Sequence, residues 1–236
     1  MALADQILND IMATLATPWN SRTGEQIPET ENVSLGGGAV ELKATFLYAD
    51  LANSSKMVKE LDRRIAAKIL KAFLASTSRL IRANGGKIVS FDGDRIMGVF
   101  YEGTKNSNAA KCALQIHWAV KQIQQKFENA YESVRTANFH ITHGVGVDTG
   151  TVLAVRAGAR GANDLIWIGR APNLAAKLSD IRHPTYKSHI SASVFNVLSD
   201  SSKFDGTNGD LMWQKCTWTF LGEKLYLYRS TSFWKP

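Results

Sequence analysis

Two carboxylates interrupt apolar, strand-like runs in this sequence. Asp50 closes Phe46-Leu47-Tyr48-Ala49-Asp50, and Asp94 follows Phe91-Asp92-Gly93 just ahead of Ile96. A buried, unpaired carboxylate costs several kcal/mol, so a fold that places both at the ends of neighbouring strands must supply compensating positive charge. Taken singly, Asp50 reads as a helix cap and Asp94 as the decoration of a turn. Taken as a pair in neighbouring strands, they point to a divalent metal site of the kind that serves phosphate chemistry.

The surrounding periodicities give the order of elements. Leu3, Ile7, Ile11 and Leu15 repeat every fourth residue and predict a short amphipathic helix, followed by a polar stretch from Thr17 to Gly38. Ala39 to Ala49 alternates as a strand. A long helix follows, with a stripe of Leu61, Ile65, Ile69 and Phe73, stopped at Asn84-Gly85-Gly86. Lys87 to Phe91 and Arg95 to Tyr101 form a hairpin, for which Asp92-Gly93 suits a type I′ turn with Asp94 at the tip. Asn106 to Ala130 carries Ala109, Ala113, Ile116, Val120, Ile123 and Phe127 on one helical face.

Asn138 to Val147 is a strand, Asp148-Thr149-Gly150 a turn, and Thr151 to Val155 and Asp164 to Ile168 further strands. Ala171 to Ile181 is a helix, Lys187 to Ile190 a strand, and Ser191 caps a short helix through Leu198. Met212 to Thr219 and Lys224 to Tyr228 close the chain as a hairpin in which Trp213 and Trp218 pack. The β-α-β-β-α-β order predicts an α+β fold with a ferredoxin-like core and helices on one face. The organisation expected is an N-terminal arm, helix plus loop, over 1–38 and a catalytic domain over 39–236.

Composition narrows the setting. The 236 residues are 44% hydrophobic, enough for a full core, and two cysteines, Cys112 and Cys216, are too few for a disulfide framework. No apolar run approaches ~20 residues and no signal-like leader is present, so a cytoplasmic protein without membrane contact is expected. The net charge of +7 admits nucleic acid, a membrane surface or a polyanionic small molecule and does not choose among them.

In a β-α-β-β unit the first and third strands are neighbours, which lets Asp50 and Asp94 converge. Two metal ions ~4 Å apart would then activate a hydroxyl and stabilise a leaving pyrophosphate. Asn53, Ser54 and Ser55 follow Asp50 and offer backbone amides to phosphate oxygens. In Gly169-Arg170-Ala171-Pro172-Asn173-Leu174-Ala175-Ala176-Lys177, Asn173 and Lys177 share a helix face, an amide and a cation suited to a ribose oxygen and a phosphate gaining charge. A solvated helix face is the competing reading. His140 and His143 fall on opposite sides of a strand and are read as core or surface residues. Arg156 and Arg160 are cations within reach of a triphosphate or simply solvated.

Taken together, Phe46 to Asp50, Gly85-Gly86 with Gly93-Asp94, Gly146-Val147-Asp148-Thr149-Gly150, and Gly169 through Asn173 to Leu178 resemble the class III adenylate and guanylate cyclases over roughly Glu41 to Ser199. The resemblance implies two Mg²⁺ or Mn²⁺ ions on Asp50, Asp94 and the main-chain carbonyl of Leu51, with Asn173 orienting the ribose and Lys177 stabilising the transition state. Lysine stands where arginine is usual and lacks its fork. It also implies a homodimer whose sites take metals from one chain and Asn173 and Lys177 from the other.

The departures from that pattern concern the base. Ser90 and Ile166 occupy the two purine-selecting positions and match neither the adenine set nor the guanine set. Tyr48, where phenylalanine is common, narrows the pocket toward a pyrimidine or simply packs as a strand aromatic. A site lacking the groups that hydrogen-bond a base edge loses ~10⁴–10⁵-fold in discrimination. Gly144 stands where the family's usual triphosphate-binding arginine is expected, so another cation must serve.

A short cyclase lacking both purine selectors resembles the bacterial pyrimidine cyclases of Pycsar anti-phage systems. That implies UTP, or alternatively CTP, as substrate and a separate effector that responds to the cyclic product. A catalytically silent regulatory domain would be expected to lose a metal Asp. An RNA-binding module would expose aromatics on its central strands, where Phe91 and Phe100 are the candidates. A diguanylate cyclase would carry a Gly-Gly-Asp-Glu-Phe type of turn, which is absent. No nucleic-acid partner is therefore expected.

Overall fold

The computed structural model describes residues 2–159 and 161–236. Arg160 lies outside the described residues. The chain divides into two compact units, one of residues 1–43 and 151–169 and one of residues 44–150 and 170–236, with two of the three boundaries falling inside long strands.

The smaller unit opens on α1 (Leu3–Ala16), none of whose residues is buried, so the apolar stripe of Leu3, Ile7, Ile11 and Leu15 is uncovered. The polar stretch expected after it holds a strand, β1 (Asn20–Thr23), and a 3-10 turn at Thr30–Asn32. All four residues of β1 are exposed, so it carries no alternation to read. It pairs in parallel with the start of β2 (Gly38–Ala52), Asn20 opposite Gly38. The second half of β5 (Thr142–Ala159) pairs with β6 (Ala162–Ile168) in the same unit.

The larger unit contains the expected β-α-β-β-α-β core. After β2 come α2 (Ser54–Glu60), α3 (Arg63–Ala83), β3 (Gly86–Asp92), β4 (Arg95–Phe100), α4 (Lys105–Ala130), α5 (Glu132–Thr136) and then β5. The strand order β3-β4-β2-β5 is the ferredoxin-like one, extended by β7 (Ser188–Ser191), β9 (Glu223–Ser230) and β8 (Gln214–Phe220). The remaining helices are α6 (Arg170–Ser179), α7 (Ala192–Phe195) and α8 (Asp200–Lys203). Ser191 caps α7, accepting from the Val194 amide. Among the described residues no helix is long and apolar enough to cross a membrane.

One large core joins Leu47, Ala49 and Leu51 of β2 to Ile69 and Phe73 of α3, Ala113 and Ile116 of α4, and Val145 and Val147 of β5. The two core helices therefore cover one face, as expected. The other face of β5 presents Gly144 and Gly146 to the backbone of α6, so α6, an addition to the core, covers the opposite side. Trp213 lies in the large core, its indole N–H donating to Ser202 O, while Trp218 stacks on Phe220 beside Leu174 and Leu178.

Several boundaries differ from the sequence reading. The first strand does not stop at Ala49; it continues through Asp50 to Ala52. The long helix is present as α3, but it starts after Leu61, because Asp62 caps it by accepting from the Arg64 amide, and a separate short helix, α2, precedes it. The hairpin loop is Gly93-Asp94, not Asp92-Gly93, since Asp92 pairs with Arg95. Only Gly93 has positive φ there, which is the type II′ pattern instead of I′. Asp148-Thr149-Gly150 is no turn, and β5 begins at Thr142 and runs through it. The Thr149 hydroxyl donates to Ala44 O and the Asp148 carboxylate accepts from Ser191, so both polar groups are satisfied inside the sheet.

Of the two histidines singled out, His140 is exposed and meets Gln124, whereas His143 is buried, with His117 5.4 Å away. Burial holds the imidazole of His143 neutral, and that of His189 is pushed down to about 4. A depressed folded pKa contributes stability above the unfolded value of about 6.5, and that stability is lost as pH falls toward the folded value. Between pH 7.5 and 5, His189 alone should remove about 2 kcal/mol. Urea unfolding at the two pH values should register the loss, and His189→Gln should shrink the difference by that amount.

Candidate active site

The antiparallel pairing of β2 with β4 sets Asp50 opposite Arg95 and Tyr48 opposite Met97, and β3 adds Asp92 and Ser90 to the same two rows. Residues opposite each other or two apart share a face. Tyr48, Asp50, Ser90 and Arg95 therefore stand together on the face away from α3 and α4. Asp94 lies in the adjoining hairpin loop, where its carbonyl accepts from the Leu51 amide at 3.2 Å.

Asp50 is only 5% exposed. Burial, together with the nearby Asp94 charge, raises its carboxyl above the usual range, while Arg182 and Arg95 oppose the rise. The Arg182 guanidinium donates to Asp50 Oδ2, and Arg95 Nη2 lies 3.7 Å from the same oxygen. Arg95 in turn holds Asp180, whose second oxygen is 3.9 Å from Lys177 Nζ. Burial likewise raises the Tyr48 phenol, which Arg95 partly offsets.

The remaining expected residues divide by location. Asn173 and Lys177 lie on α6 and are exposed, while Ala171, Leu174, Ala175 and Leu178 of the same helix are buried. Asn53 adopts φ +60° as the N-cap of α2, and Ser54 and Ser55 start that helix. Ile166 belongs to the other unit, on the more exposed side of β6, and Arg156 there donates to Asn163.

A carbonyl-and-carboxylate set of Asp50, Asp94 and Leu51 is made of hard oxygen donors, the chemistry Mg²⁺ or Mn²⁺ prefers. The Asp94 charge close enough to raise the Asp50 carboxyl fits a cation placed between the two acids. No group of three acidic, histidine or cysteine side chains forms a metal site among the described residues. Any ion there would complete its shell with water or phosphate.

Arg95, Asp180 and Arg182 were not singled out from the sequence. The position of Arg95 opposite Asp50 follows once the hairpin register is known. Arg182 lies 132 residues from its partner, and no local pattern marks it.

Residues 41–218 match the model of the adenylate and guanylate cyclase catalytic domain. The chain belongs to this cyclase family. A uridylate cyclase of Rhodovulum sp. (strain MB263) is 51% identical over all of this chain and 99% of its own length. A uridylate cyclase of Burkholderia cepacia is 40% identical over 99% of both. The fold is also that of the adenylyl cyclase CyaB from P. aeruginosa, with a TM-score of 0.69 and 19% identity over 81% of this chain and 95% of that one. As a nucleotidyl cyclase, the chain belongs to a family that works with divalent metal ions.

The motif Gly144-Val145-Gly146-Val147 seats the helix carrying Asn173 and Lys177. A Cβ on Gly146 would overlap Ala175 O and the Ser179 amide, backbone atoms that cannot step aside, whereas one on Gly150 would meet Ala171 Cβ at an ordinary 3.4 Å. Gly146→Ala should cost about 3 kcal/mol and lower the melting midpoint by roughly 10 °C. Gly150→Ala should stay within about 1 kcal/mol of the parent in the same thermal scan.

Proposed function

We propose that this chain is a uridylate cyclase, converting UTP to 3′,5′-cyclic UMP and pyrophosphate. The observation that carries the reading is the 51% identity, along the whole chain, to a protein named uridylate cyclase. The chemistry at the purine-selecting positions agrees with it, because Ser90 and Ile166 offer neither purine-selecting set and the phenol of Tyr48 stands in the row of Ser90.

In the reaction the 3′-oxygen attacks the α-phosphorus, the bond to the bridging oxygen breaks, and pyrophosphate leaves while the hydroxyl proton passes to solvent. Two divalent ions, Mn²⁺ or Mg²⁺, held by Asp50, Asp94 and the Leu51 carbonyl, would supply the charge that acidifies the hydroxyl and neutralises the leaving group. Asn173 donates its carboxamide to the ribose and so fixes the attacking oxygen. Lys177 sets an ammonium beside the phosphate as charge develops. The amides of Asn53, Ser54 and Ser55 hold phosphate oxygens, and Tyr48 and Ser90 border the base.

The working form is a homodimer in which Asn173 and Lys177 of one chain complete the metal residues of the other. Residues 39–236 are the catalytic domain and 1–38 an arm. The protein acts in the cytoplasm, without nucleic acid or membrane, as the second-messenger synthase of a Pycsar anti-phage system, and its product is read by a separate cyclic-nucleotide effector.

Purified protein incubated with Mn²⁺ and each of UTP, CTP, ATP and GTP should yield cyclic UMP as the main product by chromatography and mass spectrometry. Asp50→Ala or Asp94→Ala should abolish it, and Lys177→Ala should lower kcat by about 10²–10³-fold. Cyclic CMP as the main product would move the assignment to the other pyrimidine. Cyclic AMP or GMP would overturn the reading of Ser90 and Ile166, and no product from any of the four would favour a silent regulatory domain.

A further inference from the structure

Arg182 follows the end of α6, and its guanidinium divides its bonds between two acceptors. Nη1 donates to Ser179 O and Nη2 to the carboxylate of Asp50. The space it fills exists because residue 144 has no side chain. A Cβ on Gly144 would come within 2.8 Å of Nη1 and would overlap Ser179 O. The side chain is 38% exposed, against 27% for Arg95 and 7% for Asp50, so one edge of the fork opens to solvent beside a carboxylate that is itself closed in.

The two cations near Asp50 are held differently. Arg95 is tied to Asp180 as well as lying near Asp50, so its position survives the loss of either partner. Arg182 has a neutral anchor in Ser179 O and a single carboxylate partner among the described ion pairs. With a divalent ion on Asp50, that buried charge would be compensated without the guanidinium, and like charge would repel it. Nη2 would then be released while Nη1 keeps its carbonyl. A half-exposed guanidinium freed beside bound metal has the geometry and permanent charge to take phosphate oxygens two at a time.

We propose that Arg182 is the triphosphate-binding cation of this chain, and that before nucleotide arrives it stands in for the divalent ion at Asp50. The inference rests on the assignment of Asp50 and Asp94 as metal residues. It gives the vacant arginine position at Gly144 a physical counterpart, with the guanidinium arriving from residue 182 into the space the glycine leaves.

The test reads two bindings of opposite sign on the full-length protein, neither requiring turnover. Mn²⁺ alone is titrated against nucleotide-free protein, with free Mn²⁺ followed by electron paramagnetic resonance. Inorganic triphosphate is titrated calorimetrically at saturating Mn²⁺. Arg182→Ala should bind Mn²⁺ more tightly, by roughly tenfold, because the competing guanidinium is gone, and should bind triphosphate about 10–100-fold more weakly. Arg182→Lys, which keeps the charge without the fork, should fall between parent and Arg182→Ala for triphosphate. Weaker binding of both probes by Arg182→Ala would make Arg182 a structural partner of Asp50 only and would overturn the inference, as would unchanged triphosphate affinity. Failure of the parent protein to bind Mn²⁺ would instead remove the metal assignment itself, and the inference with it.

Discussion

The buried carboxylate of Asp50 is the constraint around which this face of the sheet is arranged. It stands in the middle of paired backbone, five per cent exposed, with Asp94 close enough to push its carboxyl further from ionisation. An uncompensated charge there would cost several kcal/mol. The compensation comes from separate parts of the chain, Arg95 by cross-strand register and Arg182 from the segment after α6. The charges of Asp50, Asp94 and Asp180 are matched by Arg95, Arg182 and Lys177 within one linked array. The proposed metal ions and a triphosphate would enter such an array in near balance of sign, so the charge that leaves Asp50 has an anion to meet.

The second constraint is steric and lies on β5. Alternate residues there do opposite jobs: Val145 and Val147 fill the core against the helices, while Gly144 and Gly146 let the backbone of α6 come closer than any side chain permits. This approach fixes where α6 lies, and with it the exposed face bearing Asn173 and Lys177. A glycine-rich strand that looks permissive in sequence is thus a seat of high precision, because the atoms it meets are main-chain atoms held by the helix's own hydrogen bonds.

How far the sequence could be read follows from the range over which each signal acts. The α3 and α4 stripes, the Gly85 stop and the βαββαβ order were legible because helical period, capping and turn chemistry are local. The pairing of Asp50 with the Asp94 hairpin was legible from topology alone. What failed was the assumption that a polar residue marks the end of a strand. Asp50, Asp148 and Thr149 all sit inside strands, each satisfied by a partner distant in sequence, Arg182, Ser191 and Ala44 respectively. Local chemistry favours a turn at Asp-Thr-Gly, and tertiary hydrogen bonds override it.

The same reasoning explains why Arg95 and Arg182 were invisible, although Lys177 was not. A carboxylate in an apolar run announces itself, because its neighbours make it expensive. An arginine after a helix announces nothing, since most such residues are solvated at no cost. Arg182 acquires meaning only through the empty space at Gly144 and the charge at Asp50, two positions that the fold brings to it. In a site built on phosphate and metal, the acids set in apolar strands are therefore the readable part, while a partly exposed acid such as Asp180 is not. The bases that balance them, being interchangeable in origin so long as the charge arrives, can migrate along the chain, and locating them requires the fold.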